Sequence, residues 1–263
     1  MKITCQAEAL NKAIQTVQKA IISKPSTPIF SGIHILTLDN AIKLEAMDLN
    51  MAISCTTDAI VEEPGEIVVS AKYLSELIRK FTKEEITICK NSEDRIITIS
   101  SKGSEFKLLL MNEDDFPKFP AFAAEKVISI PDEKIRELIR KTIYACSTDE
   151  SRPLFTGILF DVNNEGITCV GTNTHRLAIK NVEQAGEEEI KLIIPSKVLA
   201  EIARNLNSDL PTEVKLSLLN NQIMIGIDNV IIVSRLIEGK FPDYKRVIPP
   251  KFNFTAKVNV KLL

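Results

Sequence analysis

The sequence repeats itself at a spacing of 125 residues, and that constrains the fold more than any single motif. Pro28, Ile29, Phe30 and Gly32 return as Pro153, Leu154, Phe155 and Gly157. Lys72 and Leu74 return as Lys197 and Leu199, and Phe116 and Pro117 as Phe241 and Pro242. Helical periodicity returns in the same phase. Leu10, Ala13, Ile14, Val17, Ala20 and Ile21 follow the i, i+3, i+4, i+7 spacing of a one-sided helix, and Ile135, Leu138, Ile139 and Cys146 occupy the matching phase one repeat later. A second helical stripe, Tyr73, Leu74, Leu77, Ile78 and Phe81, is matched by Val198, Leu199, Ile202, Ala203 and Leu206. A unit used twice folds as two copies of one module.

Between the helical stretches lie short segments rich in Ile, Val, Leu and Thr: Ile33–Leu38, Ala41–Ala46, Met51–Thr56, Glu66–Val69, Ile86–Lys90, Ile96–Ser100 and Phe106–Leu110. Turn residues such as Asp39, Asn40, Pro64, Gly65 and Gly103 separate them, so they read as antiparallel strands. Each module is therefore expected to be α+β, with two helices covering one face of an antiparallel sheet. The run from Pro117 to Glu125 has two prolines and no period, as a connector should. The expected organisation is module one over 1–120, module two over 121–250, and 251–263 as the strand and helix start of a third.

Composition removes several classes of function. The chain has 33 Lys plus Arg against 35 Asp plus Glu, and a net charge of −2 gives no global pull toward nucleic acid or an anionic membrane. Any affinity for DNA must come from segregated charge. No apolar run approaches the roughly 20 residues of a membrane-spanning helix, and the N-terminus has no leader pattern, so a cytoplasmic protein is expected. Cys5, Cys55, Cys89, Cys146 and Cys169 are scattered without ligand spacing and read as buried apolar side chains in a reducing compartment. The two histidines, His34 and His175, stand near no nucleophile motif, and no phosphate-binding or metalloprotease signature occurs. Neither catalysis nor a cofactor is expected.

Two motifs give the sequence a family likeness: Gly171-Thr-Asn-Thr-His-Arg-Leu-Ala178 and Gly239-Lys-Phe-Pro-Asp-Tyr-Lys-Arg-Val247. With the opening Met1 to Thr4, the segment Lys24 to Ile29 and the repeat length, they make the chain resemble the bacterial sliding clamps, the beta subunits of DNA polymerase III. The resemblance spans the whole chain and matches the first two of the family's three domains and the start of the third. It implies the DNA clamp fold and a non-catalytic processivity factor in DNA replication. It also implies a homodimeric ring of two three-domain chains around double-stranded DNA, bound without regard to sequence. The polymerase alpha subunit, the clamp loader and repair proteins would dock through linear motifs.

Residue by residue, the likeness places Phe155, Thr172, His175, Arg176, Leu177, Pro242, Arg246 and Val247 in the second-domain half of the partner-peptide pocket. Thr174 departs from the Gly common in the family. Phe106 and Leu108 fall on the first-domain edge used for dimerisation, and they alternate with Leu110 along one strand face. Lys24 and Lys72 match positions that present cations to DNA. An independent test of that role is the charge of the helices. Lys72, Arg79, Lys80 and Lys83 stand against Glu76, and Lys134, Arg136, Arg140 and Lys141 against Asp132, Glu133 and Glu137. Lys12 and Lys19 oppose Glu8, and Lys197 and Arg204 oppose Glu201, so all four helical regions are net positive in a net negative chain. Lys24, Lys72, Arg79, Lys80, Arg140, Lys141, Arg152 and Lys197 are the DNA-binding candidates, because a flexible point charge holds phosphate without reading bases. Arg152 is the one basic group in the loop Asp149 to Leu154, where the family often has polar and aromatic residues. The other function class open to such a chain is an α+β repeat module that binds peptides or small molecules and not DNA; salt-dependent retention on duplex DNA separates the two.

Overall fold

The computed structural model describes residues 1–263 except 23–24, 82–83, 91–94, 121–125, 185–188, 207–211, 252, 260 and 262–263. Module one runs β1 (Lys2–Gln6), α1 (Ala7–Val17), β2 (Gly32–Thr37), β3 (Ala41–Met47), β4 (Met51–Asp58), β5 (Ile60–Glu63), β6 (Glu66–Ser70), α2 (Ala71–Ile78), β7 (Glu85–Lys90), β8 (Ile96–Ser101) and β9 (Ser104–Met111). Module two repeats the order: β10 (Lys126–Pro131), α3 (Asp132–Thr142), β11 (Gly157–Asn163), β12 (Gly166–Thr172), β13 (Leu177–Val182), β14 (Ile190–Pro195), α4 (Ser196–Asn205), β15 (Glu213–Leu219), β16 (Gln222–Ile227) and β17 (Val230–Arg235). All seven anticipated strands form. Of the two others, β1 precedes α1, and β5 reads IVEE and is exposed apart from Val61, so it carries no inward-facing stripe.

Helices follow strands directly because each begins where an apolar stripe changes period from two to about 3.6. In α1, Leu10, Ala13, Ile14 and Val17 are buried on one face, and in α3 Ile135, Leu138 and Ile139 do the same. α3 has Asp132 and Glu133 in its first turn and Arg140 and Lys141 in its last, which suits the helix dipole and leaves the cations at one end. Arg79 and Lys80 lie just past the end of α2, in the turn that follows it.

The strands give each sheet two chemically different faces. Ile33 and Ile35 of β2, Leu44 of β3, Ile67 and Val69 of β6, and Ile158 and Phe160 of β11 face the helices and join one apolar core with α1 to α4. Alternate residues face outward, where two smaller apolar clusters form. Four of the five cysteines are buried in or beside the core. Burial pushes the Cys5 thiol up to about 12 and those of Cys55 and Cys146 to about 11, which leaves them inert. Cys89 is only half-buried, a departure from the sequence expectation.

The two modules are joined by a strand pair that the sequence did not show. β17 lies antiparallel to β4, with Val230 opposite Cys55, Ile232 opposite Ile53 and Ser234 opposite Met51. One 13-stranded sheet, in the order β10-β15-β16-β17-β4-β3-β2-β6-β9-β8-β7-β1-β5, therefore crosses both modules, while β13-β12-β11-β14 form a second sheet. The described residues of 251–263 are exposed and form no strand among themselves.

Candidate functional site

On the helix side, the cations sort into free and neutralised groups. Arg79, Lys80, Arg140 and Lys141 are exposed, and their side chains have no hydrogen bond or ion pair among the described residues. Lys72 is also exposed, its ammonium 5.9 Å from the ring centre of the neighbouring Tyr73. Others are engaged. Arg152 pairs with Asp149 at 3.0 Å and lies over the Phe155 ring, and hydrogen bonds from Ser151 and then Arg152 hold the Asp149 carboxyl below its usual range. Lys197 approaches Asp48 at 3.9 Å across the module joint. Arg204 pairs with Glu201, and Arg136 with Asp132. Lys24 and Lys83 lie outside the described residues.

The helix side also carries grooves at both ends of the β4–β17 joint. One, of about 450 Å³, is lined by Lys12 and Thr16 of α1 and by Arg204 and Asn205 of α4. The other, of about 770 Å³, is lined by Asp48, Ser147, Thr148, Ser196, Lys197 and Arg235 among others. Of the DNA candidates, Lys197 borders the second groove, and Lys12, absent from the candidate set, borders the first.

On the outer side of module two, the structure gathers an apolar cleft. Leu159, Val170, Ile193 and Phe241 are buried, and Leu154, Leu177, Ile237 and Tyr244 pack half-buried against them. The β12–β13 turn forms its lip. Thr172 Oγ1 donates to the Arg176 carbonyl at 2.8 Å and accepts from the Thr174 N–H at 3.1 Å. Asn173 Oδ1 accepts from the N–H groups of His175 and Arg176 at 3.1 and 3.0 Å. This double bracket forces Thr174 to φ +76°, a left-handed conformation that a β-branched residue reaches only under strain. The far wall depends on Gly239, at φ +131°, where a Cβ would sit 2.8 Å from Leu154 Cδ2.

Of the eight pocket candidates, Leu177 joins the cleft and Thr172 and Arg176 hold its lip. Pro242, Arg246 and Val247 lie on the exposed segment that continues from the buried Phe241, with Arg246 paired to Asp243 at 2.9 Å and Val247 70% exposed. His175 is exposed at the lip, and Phe155 stands beneath Arg152 rather than in the cluster. Leu154, Leu159, Val170, Ile193, Phe241 and Tyr244 were not singled out. For Leu159, Val170 and Ile193 the signal was the outward-facing alternation of β11, β12 and β14, which a continuous apolar strand hides, and for Leu154 and Phe241 it was the 125-residue repeat.

The matching surface of module one carries a second apolar cluster. Ile29, Ala52, Val68 and Phe116, the counterparts of Leu154, Leu177, Ile193 and Phe241, cluster there too, and Val233 from module two joins them with Met224 and Phe119 packed alongside. Where module two has Leu159 and Val170, module one has His34 and Glu45. His34 Nδ1 lies 3.1 Å from Glu45 and Nε2 2.9 Å from Glu66, while the ring packs 5.1 Å from Phe116. Burial opposes the imidazolium, yet the hydrogen bonds to Glu45 and Glu66 prevail and raise its pKa.

At the strand edge of module one, β9 pairs with β8 along its length but with β6 only at Leu110 and Met111, which leaves the other edge unpaired from Ser104 to Leu109 among the described residues. The stripe of Phe106, Leu108 and Leu110 does not hang free. Phe106 meets Phe81 edge to face at 5.7 Å yet stays 39% exposed, Leu108 and Leu110 pack on the core, and Leu109 points out furthest, 75% exposed.

Comparison with known proteins matches the profile of the DNA polymerase III beta subunit N-terminal domain to residues 1–120 and that of its central domain to residues 129–243. This chain belongs to the bacterial sliding-clamp family. The beta sliding clamp of Bacillus subtilis is 30% identical over 272 residues, covering 99% of this chain and 71% of that protein. Its crystal structure superposes with a TM-score of 0.89 over 95% of this chain and 68% of the other. The clamp of Pseudomonas aeruginosa bound to griselimycin is 28% identical and superposes with a TM-score of 0.88 over 96% of this chain and 69% of that one. The clamp fold of this family member is thus the expected tandem α+β architecture. No helix among its described residues is long and apolar enough to cross a membrane.

Proposed function

We propose that this DNA sliding clamp holds duplex DNA on its helix side and docks partner proteins on its outer side. Residues 1–120 and 121–250 would act as its first two clamp domains, with 251–263 opening a third. The observation that carries the reading is segregation. The unpaired Arg79, Lys80, Arg140 and Lys141 lie on the helix side, while the apolar cluster of module two, with its own rim of cations, lies on the opposite face of its sheet, so DNA and a partner would not compete for the same surface.

Phosphates would meet Lys72, Arg79, Lys80, Arg140 and Lys141 directly, while Lys197 and Arg152 would contribute from the rim and Lys24, outside the described residues, is a candidate from the sequence alone. A linear peptide from a polymerase, the clamp loader or a repair protein would bury apolar side chains against Leu177 and the cleft. Thr172, His175, Arg176, Pro242, Arg246 and Val247 would shape its mouth and Phe155 its flank. The role is tethering rather than chemistry. The β9 edge with Phe106 and Leu108 behind it would join a second chain. The test is binding of a fluorescent peptide with Leu and Phe anchors to the chain and to Leu177→Glu. A carboxylate placed against the cleft is expected to weaken binding at least tenfold with the fold intact; equal affinity would remove the cleft from the account.

A further inference from the structure

The module repeat supplies an internal control for the chemistry around the cleft. Five positions at its rim carry His or a cation in module two: His175, Arg176, Lys240, Lys245 and Arg246. Their counterparts 125 residues earlier are Asn50, Met51, Asp115, Pro120 and Ala121, none of them basic. Both modules keep the apolar cluster and the Phe-Pro that leads out of it; module one has Lys118 and Lys43, which lies over the Phe119 ring, but at these five positions only module two is basic.

The ring is also available. Arg176, Lys240 and Lys245 are exposed, and their side chains have no hydrogen bond or ion pair among the described residues. Arg246 is tied to Asp243, the one acidic residue within the Phe241 to Val247 segment. Chain geometry places these groups at the cleft. Gly239, next to Lys240, packs on Leu154, Tyr244, next to Lys245, packs on the cluster, and Arg176 adjoins Leu177.

We infer that the cleft selects linear peptides whose apolar anchors are flanked by acidic residues, with Arg176, Lys240 and Lys245 reading the flanks. This rests on the peptide-docking reading of the same cleft and adds the partner's charge to it. Exposed charges set selectivity and encounter rate more than total affinity, so the preference is modest and salt-sensitive.

The test uses three fluorescent peptides with one shared Leu and Phe core, flanked by Asp, Asn or Lys, titrated with the 263-residue chain at low and moderate salt. At low salt the Asp peptide is expected to bind about tenfold more tightly than the Asn peptide, and the Lys peptide more weakly than both, with the spread narrowing as salt rises. In the Lys240→Glu, Lys245→Glu double variant the ratio between the Asp and Asn peptides should fall to about one or below. Equal binding of all three peptides would overturn the charge selection and leave peptide docking standing. Binding of none would overturn both. A single-stranded oligonucleotide that displaces the Asp peptide more effectively than unlabelled Asp peptide does would show that the ring serves nucleic acid and overturn the assignment to a peptide.

Discussion

Replacing Thr174 with Gly should stabilise the protein. Thr174 sits at φ +76° because Thr172 Oγ1 and Asn173 Oδ1 bind the N–H groups of the turn, and those bonds do not involve its own side chain. Left-handed backbone costs an L-residue about 1–2 kcal/mol, most for a β-branched one. Gly removes that cost but brings about 0.5–1 kcal/mol of extra chain entropy in the unfolded state. The threonine side chain is exposed and makes no hydrogen bond among the described residues, so little else is lost. The net expectation is a gain of about 0.5–1 kcal/mol, or about 1–4 °C in Tm for a chain of this size. Urea titration should show a higher midpoint with an unchanged slope. Thr174→Ala, which keeps a Cβ, should gain less. A Gly variant less stable than the parent would refute the strain argument and the turn geometry behind it.

Three further outcomes follow from the same geometry. Ile232 is fully buried opposite Ile53 at the module joint, so Ile232→Ala should cost about 2–5 kcal/mol and split urea unfolding into two transitions as the modules uncouple; one cooperative transition would show that the joint does not couple them. The pKa of His34 is raised above its ordinary 6.5, so its bonds to Glu45 and Glu66 stabilise module one below pH 6.5, and that contribution is lost as pH rises through the higher folded value. Glu45 behaves oppositely: burial works against its charge, His34 and Lys43 outweigh burial and lower its pKa, and its contribution is lost as pH falls below 4.5. Thermal melts from pH 4 to 9 should therefore peak between these limits, and His34→Gln should flatten the alkaline side. Gly239→Ala should push Leu154 out of the cleft and weaken peptide binding, which titration of the Asn-flanked peptide would reveal.

Local pattern made the module legible. The stripes of α1 and α3 and the alternation of β2, β7 and β8 each name their own buried face, and the 125-residue offset doubles the signal. What stayed hidden depends on contacts distant in sequence. Nothing local tells β4 that it will meet β17, since both read as ordinary apolar strands. The cleft was half legible. The run Thr172 to Leu177 stands out because side-chain caps and a tight turn need those residue types. Leu159, Val170 and Ile193 sit in strands apolar on both faces, where period two is erased. Phe106 and Leu108 read as a stripe, but only packing shows that the core takes Leu108 while Phe106, against Phe81, and Leu109 stay exposed. Charge counting found the basic helices, yet it could not tell Arg140, which is free, from Arg204, which Glu201 holds.

DNA binding by the free cations of the helix side is tested most directly by its salt dependence. Affinity for a duplex should fall linearly on a log–log plot against salt, with a slope near −0.9 per phosphate contact. Reversing Arg79, Lys80, Arg140 and Lys141 to Glu should lower affinity and flatten that slope by about 3 to 4 while circular dichroism and the urea midpoint show an intact fold. A folded variant with the parental slope and affinity would contradict the claim.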